Sequence, residues 1–149
     1  MNVEGVEYRF IEADSEYYAQ TVSLRFQVFY EASGLDLRAV QDDLENRSFH
    51  LVAAIDAKVV GYIRLTLDGD SAKLTQFVLS PDMRGKSGIA RRLMRMIMER
   101  AKAAGAKKVC GEIRLPVSEA AKAYGFRVSD EVIPSPKTGI PHRRIEKSL

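Results

Sequence analysis

The chain is poor in the residues that build disulfides and metal centres. A single cysteine, Cys110, excludes an intrachain disulfide. The two histidines, His50 and His142, lie far from it and from each other, so no zinc-ligand spacing is present. No apolar run approaches the roughly 20 residues a membrane helix needs. Charged residues occur early in Met1–Phe10, so no leader pattern is visible. Repeats, low-complexity stretches and domain linkers are also missing. These absences lead us to expect a cytoplasmic protein with no membrane partner and one domain over residues 1–149.

What is present is enough to build a core: 46% of the 149 residues are hydrophobic and 29% charged. The net charge is only +3, but its distribution is uneven. Between Arg84 and Lys108 nine lysines and arginines face one acid, Glu99. Such a cluster reads either as a solvated helix face or as a field for an anionic partner.

Hydrophobic periodicity orders the chain. Val6–Ile11 alternates as a strand. Asp14 or Ser15 caps a helix that is expected to run to about Glu31, with Tyr18, Val22, Phe26 and Phe29 on one face, and Gly34 ends it. Val40–Arg47 reads as a short acidic helix. His50–Ile55, Val59–Leu67 and Ala72–Leu79 are three strands joined by the short connections 56–58 and 68–70, hence antiparallel. After Ser80-Pro81-Asp82 a long helix is expected from about Gly88 to Ala104, with Ile89, Leu93, Ile97 and Ala101 as its stripe and Gly105 as its stop. Lys108–Ile113 is a strand and Ser118–Tyr124 a short helix. Phe126–Ile133 and Arg143–Glu146 are strands flanking the turn-rich Pro134–Pro141. This order gives a mixed α/β fold with an antiparallel meander and a crossover helix.

The segment Arg84-Gly85-Lys86-Ser87-Gly88-Ile89-Ala90 lies between a strand and that long helix. A helix start offers unpaired N–H groups and a partial positive charge. Glycines let the backbone approach a ligand, and Arg84 and Lys86 add charge, so a pyrophosphate is the natural guest. A nucleotide-binding P-loop would need glycine at residue 80, which is Ser80, with Pro81 stiffening the next step. Met94, Met96 and Met98 read as helix packing, Cys110 as small core, and His50 as structural.

The run from Phe77 through Ser80-Pro81 to Arg84-Gly85-Lys86-Ser87-Gly88-Ile89-Ala90 resembles the GNAT-type N-acetyltransferase family, whose strand, V-x-P and [QR]-x-x-G-x-[GA] open a long helix. Ala103-Ala104-Gly105-Ala106 and Tyr124-Gly125-Phe126 extend the likeness. So do Arg25-Phe26-Gln27-Val28-Phe29 with Glu31 and Asp42/Asp43, and Gly139-Ile140-Pro141-His142, which resemble a branch with an R-x-x-V-F start and a G-I-P-H ending. The resemblance implies a mixed, strongly twisted sheet of six or seven strands with helices on both faces. It implies acetyl-CoA as acyl donor. The donor's pyrophosphate would lie on the amides of Ser87, Gly88, Ile89 and Ala90 beside Arg84, Gly85 and Lys86. Its pantetheine arm would pair with the main chain of Phe77, Val78 and Leu79 where that strand splays from its neighbour. Ser87 is an insertion relative to the family pattern, so the loop is expected to bulge there.

On the same resemblance the family's usual acid tyrosine falls at Ala121, which leaves Tyr124 as the candidate acid or as core. The position of a frequent glutamate base falls at Thr75 or Gln76, neither of which accepts a proton, so Glu112 or a water relay takes that role. His142 and Phe29 are candidates for the acceptor side. Arg25 and Arg64 would bind an acidic acceptor group or form salt bridges. With no activated nucleophile in sight, direct transfer in a ternary complex is expected, to a small-molecule or peptide amine. Rival readings are a non-catalytic acyl-CoA-binding module and an enzyme using a longer acyl-CoA or acyl carrier protein. The Arg25–Phe29 segment distantly resembles acyl-homoserine-lactone synthases. A nucleic-acid-binding domain lacks interleaved aromatics and a reading motif, so no nucleic-acid partner is expected. A homodimer is left open beside the monomer.

Overall fold

A computed structural model describes residues 5–85, 88–115 and 118–149. Lys86 and Ser87, with the bulge expected at Ser87, lie outside the described residues. Among those residues the sheet has seven strands: β1 Val6–Ile11, β2 Ser48–Ile55, β3 Lys58–Asp68, β4 Ser71–Leu79, β5 Lys108–Arg114, β6 Arg127–Pro134 and β7 Pro141–Ser148. Their order is β1-β2-β3-β4-β5-β7-β6. Every neighbouring pair is antiparallel except β4 and β5, which are parallel because α2 (Ile89–Ala103) crosses over between them.

The meander β2–β3–β4 follows from its turns. Ile55 pairs with Lys58 across a two-residue connection in which Asp56 (φ 50°) and Ala57 (φ 64°) both take the left-handed conformation. Gly69 (φ 62°) serves the β3–β4 turn without that steric cost.

Two apolar cores flank the sheet. On one face α2 lays Ile89, Leu93, Ile97 and Ala101, all buried, against Leu51, Ile63, Leu65 and Leu74. Gly61 permits this approach, since a Cβ there would stand 2.9 Å from Leu79 Cδ2 and 3.0 Å from Leu93 Cδ1. The short α3 (Ser118–Ala123) adds Ala121 to the same core, next to Phe126. On the other face α1 (Glu16–Arg25) packs Tyr17, Tyr18, Val22 and Leu24 against Val52, Tyr62 and Val78. Ser15 caps α1 by accepting from the Tyr17 N–H.

Two helical expectations change. The first helix is α-helical only to Arg25. Phe26–Tyr30 is a π-turn and Glu31–Ser33 a single 3₁₀ turn before Gly34 (φ 73°). The wider turn shifts Phe29 and Tyr30 relative to an ideal helix, a common device near functional sites. Residues 40–47 are not one helix. Leu37–Val40 and Glu45–Arg47 are separate 3₁₀ turns with extended Gln41 between them, because Asp42 and Glu45 are drawn inward by Arg64. The last strand is longer than the expected Arg143–Glu146, since its pairing with β5 runs from His142 to Ser148. Among the described residues no helix is long and apolar enough to cross a membrane.

Candidate active site

The site begins where the parallel pairing of β4 and β5 stops. Ser71 to Leu74 pair with Lys108 to Gly111, and no pair follows. The last pair is tight: a Cβ on Gly111 would stand 2.5 Å from the Leu74 carbonyl oxygen. Beyond it β4 stays paired to β3 as far as Leu79–Gly61, while β5 stays paired to β7. The strands therefore part, and the β5-facing main-chain groups of residues 75–79 have no strand partner.

A β-bulge sharpens this split. Tyr62 pairs with Val78 but Arg64 with Thr75, so β4 carries one extra residue. Gln76 takes it up at φ 57°. The alternation is reset there. Thr75 and Gln76 both turn toward the α1 face, where Thr75 Oγ1 accepts from Arg64 Nε (2.9 Å) and Gln76 Nε2 donates to Tyr30 Oη (3.1 Å). Phe77 and Leu79 pack on the α2 side and Val78 on the α1 side. Gln76 Oε1 is buried and has no hydrogen-bond partner among the described residues. A strand read with strict alternation hides this bulge, and nothing in residues 71–79 marks Gln76 for a left-handed conformation.

The split opens a cavity of about 340 Å³ through the sheet. Ala90, Met94, Ala121 and Tyr124 line its α2/α3 side. Phe29, Tyr30, Gln76, Glu112, Arg114 and His142 line its α1 side. Phe77, Val78, Leu79 and Arg84 complete the wall named in the sequence. Gly85, Gly88 and Ile89 lie at the adjoining loop and helix start rather than in the wall. Gly88 (φ 105°) precedes α2 and gives it no side-chain cap, so among the described residues no side chain caps the first N–H groups of the helix.

Tyr124 follows the end of α3, and burial raises its hydroxyl pKa against the opposing charge of Arg91, so it is protonated at neutral pH. Glu112 stands one residue past the last β4–β5 pair. His142 is the β7 partner of Arg114, and its Nδ1 lies 2.7 Å from the Ile140 carbonyl oxygen, to which it donates. Arg114 and Tyr30 were missed in the sequence. The period-2 alternation from Glu112 to Arg114 was the available signal for Arg114.

Arg25 and Arg64 do not line the cavity. Both are buried beneath α1, with side chains 0% and 2% exposed. Arg25 donates to both carboxylate oxygens of Glu45 (2.9 and 3.1 Å) and lies over the Tyr62 ring. Arg64 pairs with Glu45 and with both oxygens of Asp42 (2.9 and 3.2 Å). The salt-bridge alternative describes both, so acceptor binding passes to other residues. Burial opposes the charge on Glu45, yet Arg25 first and then Tyr18 and Arg64 outweigh it and bring its pKa down to about 2. His50 completes this interior between the Tyr62 hydroxyl and the Glu45 carbonyl, and burial lowers its pKa. Cys110, expected in the core, is half-buried instead, because β5 presents it to the uncovered α1 side of β5–β7–β6 beside a second cavity.

Solved structures share this architecture over nearly their whole length. An acyl-CoA N-acyltransferase from Pseudomonas aeruginosa superposes with a TM-score of 0.79 at 22% identity, covering 96% of this chain and 99% of that one. An acetyltransferase from Streptococcus agalactiae gives 0.74 at 23%, covering 99% and 100%. An aminoglycoside 6'-N-acetyltransferase complexed with coenzyme A gives 0.75 at 14%, covering 95% and 96%. At these identities the likeness establishes the fold, that of acyl-CoA N-acyltransferases. Residues 11–126 match the family model for the acetyltransferase (GNAT) family, and the chain belongs to that family. It is accordingly an acyl-CoA-dependent N-acetyltransferase. No curated protein sequence matches the chain.

Proposed function

We propose that the protein moves an acetyl group from acetyl-CoA to a primary amine by direct transfer in a ternary complex, within one cytoplasmic domain spanning residues 1–149. The observation that carries this reading is the parting of β4 from β5 after Leu74–Gly111. It opens a passage through the sheet, so two reactants can meet from opposite faces.

The residues fit a pantetheine-bearing nucleotide. The uncapped start of α2 at Gly88, Ile89 and Ala90 offers N–H donors to a diphosphate, with Arg84 exposed alongside. The free edge at Phe77–Leu79 offers amides and carbonyls to an extended arm. Bound there, acetyl-CoA supplies an activated acyl carbonyl and a thiolate leaving group. Glu112, on the α1 side, accepts a proton from the attacking amine, directly or through one water. Tyr124, on the α3 side, gives its hydroxyl proton to the departing sulfur. Acid and base thus stand on opposite sides of the passage, and the held geometry replaces a covalent intermediate.

Native mass spectrometry with acetyl-CoA, CoA and ATP, followed by thiol release across a panel of amines, tests this. One acetyl-CoA per chain, no ATP, and amine-dependent thiol release are expected. Gly88→Glu, which places a negative charge in the phosphate cradle, abolishes CoA binding. Normal CoA affinity in that variant, or binding without turnover on any amine, overturns the reading.

A further inference from the structure

The two fully buried arginines, Arg25 and Arg64, are neutralised in place, whereas the basic side chains at the mouth of the cavity are not. Among the described residues its wall carries three lysine or arginine side chains, Lys73, Arg84 and Arg114, and one acid, Glu112. Among the described residues neither Arg84 nor Arg114 has a carboxylate partner. Arg114 is half-buried, with its guanidinium carbon 5.6 Å from the centroid of the Phe29 ring. It faces the like charge of Arg84, and burial and that charge together lower its pKa. A guanidinium kept half-dry, near a second cation and without an acid, lacks the counter-charge that Arg25 and Arg64 both have.

Arg114 belongs to the acceptor half of the site. Cys110, Glu112 and Arg114 alternate with Val109 and Ile113, which pack in the α2-side core. Arg114 therefore points to the α1 side, against Phe29 of the π-turn and next to His142. Glu112 lies on the same strand face, about 7 Å nearer the apex of the split. The acid and the cation are spaced to receive the two ends of one small molecule.

We propose that Arg114, braced by Phe29 and flanked by His142, binds the carboxylate of the acceptor, so that the preferred substrates are amino acids rather than neutral amines. The planar fork of arginine matches a carboxylate with two parallel N–H···O bonds. Glu112 then meets the amine end of the same molecule. This rests on the acetyl-transfer reading above and narrows its acceptor class. The same fork would also suit a phosphate of the donor, so the test separates the two sources of anion.

Acetyl transfer by the full chain is measured on matched pairs: glycine and glycinamide, β-alanine and β-alaninamide, 4-aminobutyrate and its amide. Wild type is expected to favour at least one acid over its amide by about tenfold in kcat/KM, the scale of one charge-assisted contact. Arg114→Gln erases that ratio while leaving KM for acetyl-CoA unchanged, and Arg114→Lys retains part of it. Comparing ratios cancels the different basicity of the paired amines, and melting curves confirm that both variants fold. An acid-to-amide ratio near one in wild type, or an unchanged ratio in Arg114→Gln, overturns the proposal. A raised KM for acetyl-CoA with the ratio intact assigns the guanidinium to the donor's phosphates. If acetyl-CoA binds but no amine is acetylated, the transferase reading fails. The subsite is then judged by equilibrium binding of N-acetylglycine against N-acetylglycinamide to the CoA complex: equal affinities reject it, and an acid preference lost in Arg114→Gln supports it.

Discussion

Two groups of arginines around one sheet have opposite surroundings. Beneath α1, Arg25 and Arg64 share Glu45 and Asp42 in a buried network with Tyr18, Tyr62 and His50. At the mouth of the split, Arg114 feels the like charge of Arg84, and among the described residues neither has a carboxylate ion-pair partner. The first group ties the 3₁₀ turns of residues 37–47 to β2 and β3 and has no charge left over for a ligand. The second is held in place by strand and loop geometry and has all its charge available. Among charged residues near a cavity, unneutralised charge distinguishes the recognition surface from the scaffold.

The comparison can be broken most forcefully at Glu45. Glu45→Ala leaves two buried guanidiniums short of a counter-charge, and it should cost about 3–5 kcal/mol in urea unfolding. A loss below about 1 kcal/mol would mean that the network is not what holds residues 37–47.

Acid probes the same carboxylate without mutation. Its pKa is depressed in the fold, from 4.5 to about 2, so its contribution is complete above pH 4.5 and is lost as pH falls toward 2. The loss is on the order of 3 kcal/mol, and urea midpoints between pH 5 and 2 should show it in wild type but not in Glu45→Gln.

On the other side of the comparison, Tyr124→Phe should lower kcat by about 100-fold and flatten the alkaline limb of its pH profile, with KM for acetyl-CoA and the melting temperature little changed. An unaltered kcat would return Tyr124 to a packing role. The smallest effect is expected at the apex. Gly111→Ala pushes a methyl against the Leu74 carbonyl and should cost about 1–3 kcal/mol by loosening the last β4–β5 pair. Unchanged stability would show that the pair is not a fixed hinge of the split.

The element order was legible because its signals are local. The stripe Ile89, Leu93, Ile97 and Ala101, the stops at Gly34 and Gly105, and the short connections at 56–58 and 68–70 each act within a few residues. The end of β4 at Leu79 and the start of α2 at Ile89 were legible for the same reason. The helix assigned to residues 40–47 was not, since Asp42 and Glu45 answer to Arg64, about 20 positions away in sequence. Nor was the bulge at Gln76, whose left-handed conformation reflects how β4 fits against β3 rather than any preference of glutamine.

By itself the amino-acid order determined most of the helices and strands and their succession, because periodicity, capping and glycine placement are properties of neighbouring residues. Tertiary structure alone decided which charges are spent and which are free. An arginine's partner is whatever carboxylate the fold brings within reach: Arg25 and Arg64 share two, and Arg114 has none among the described residues.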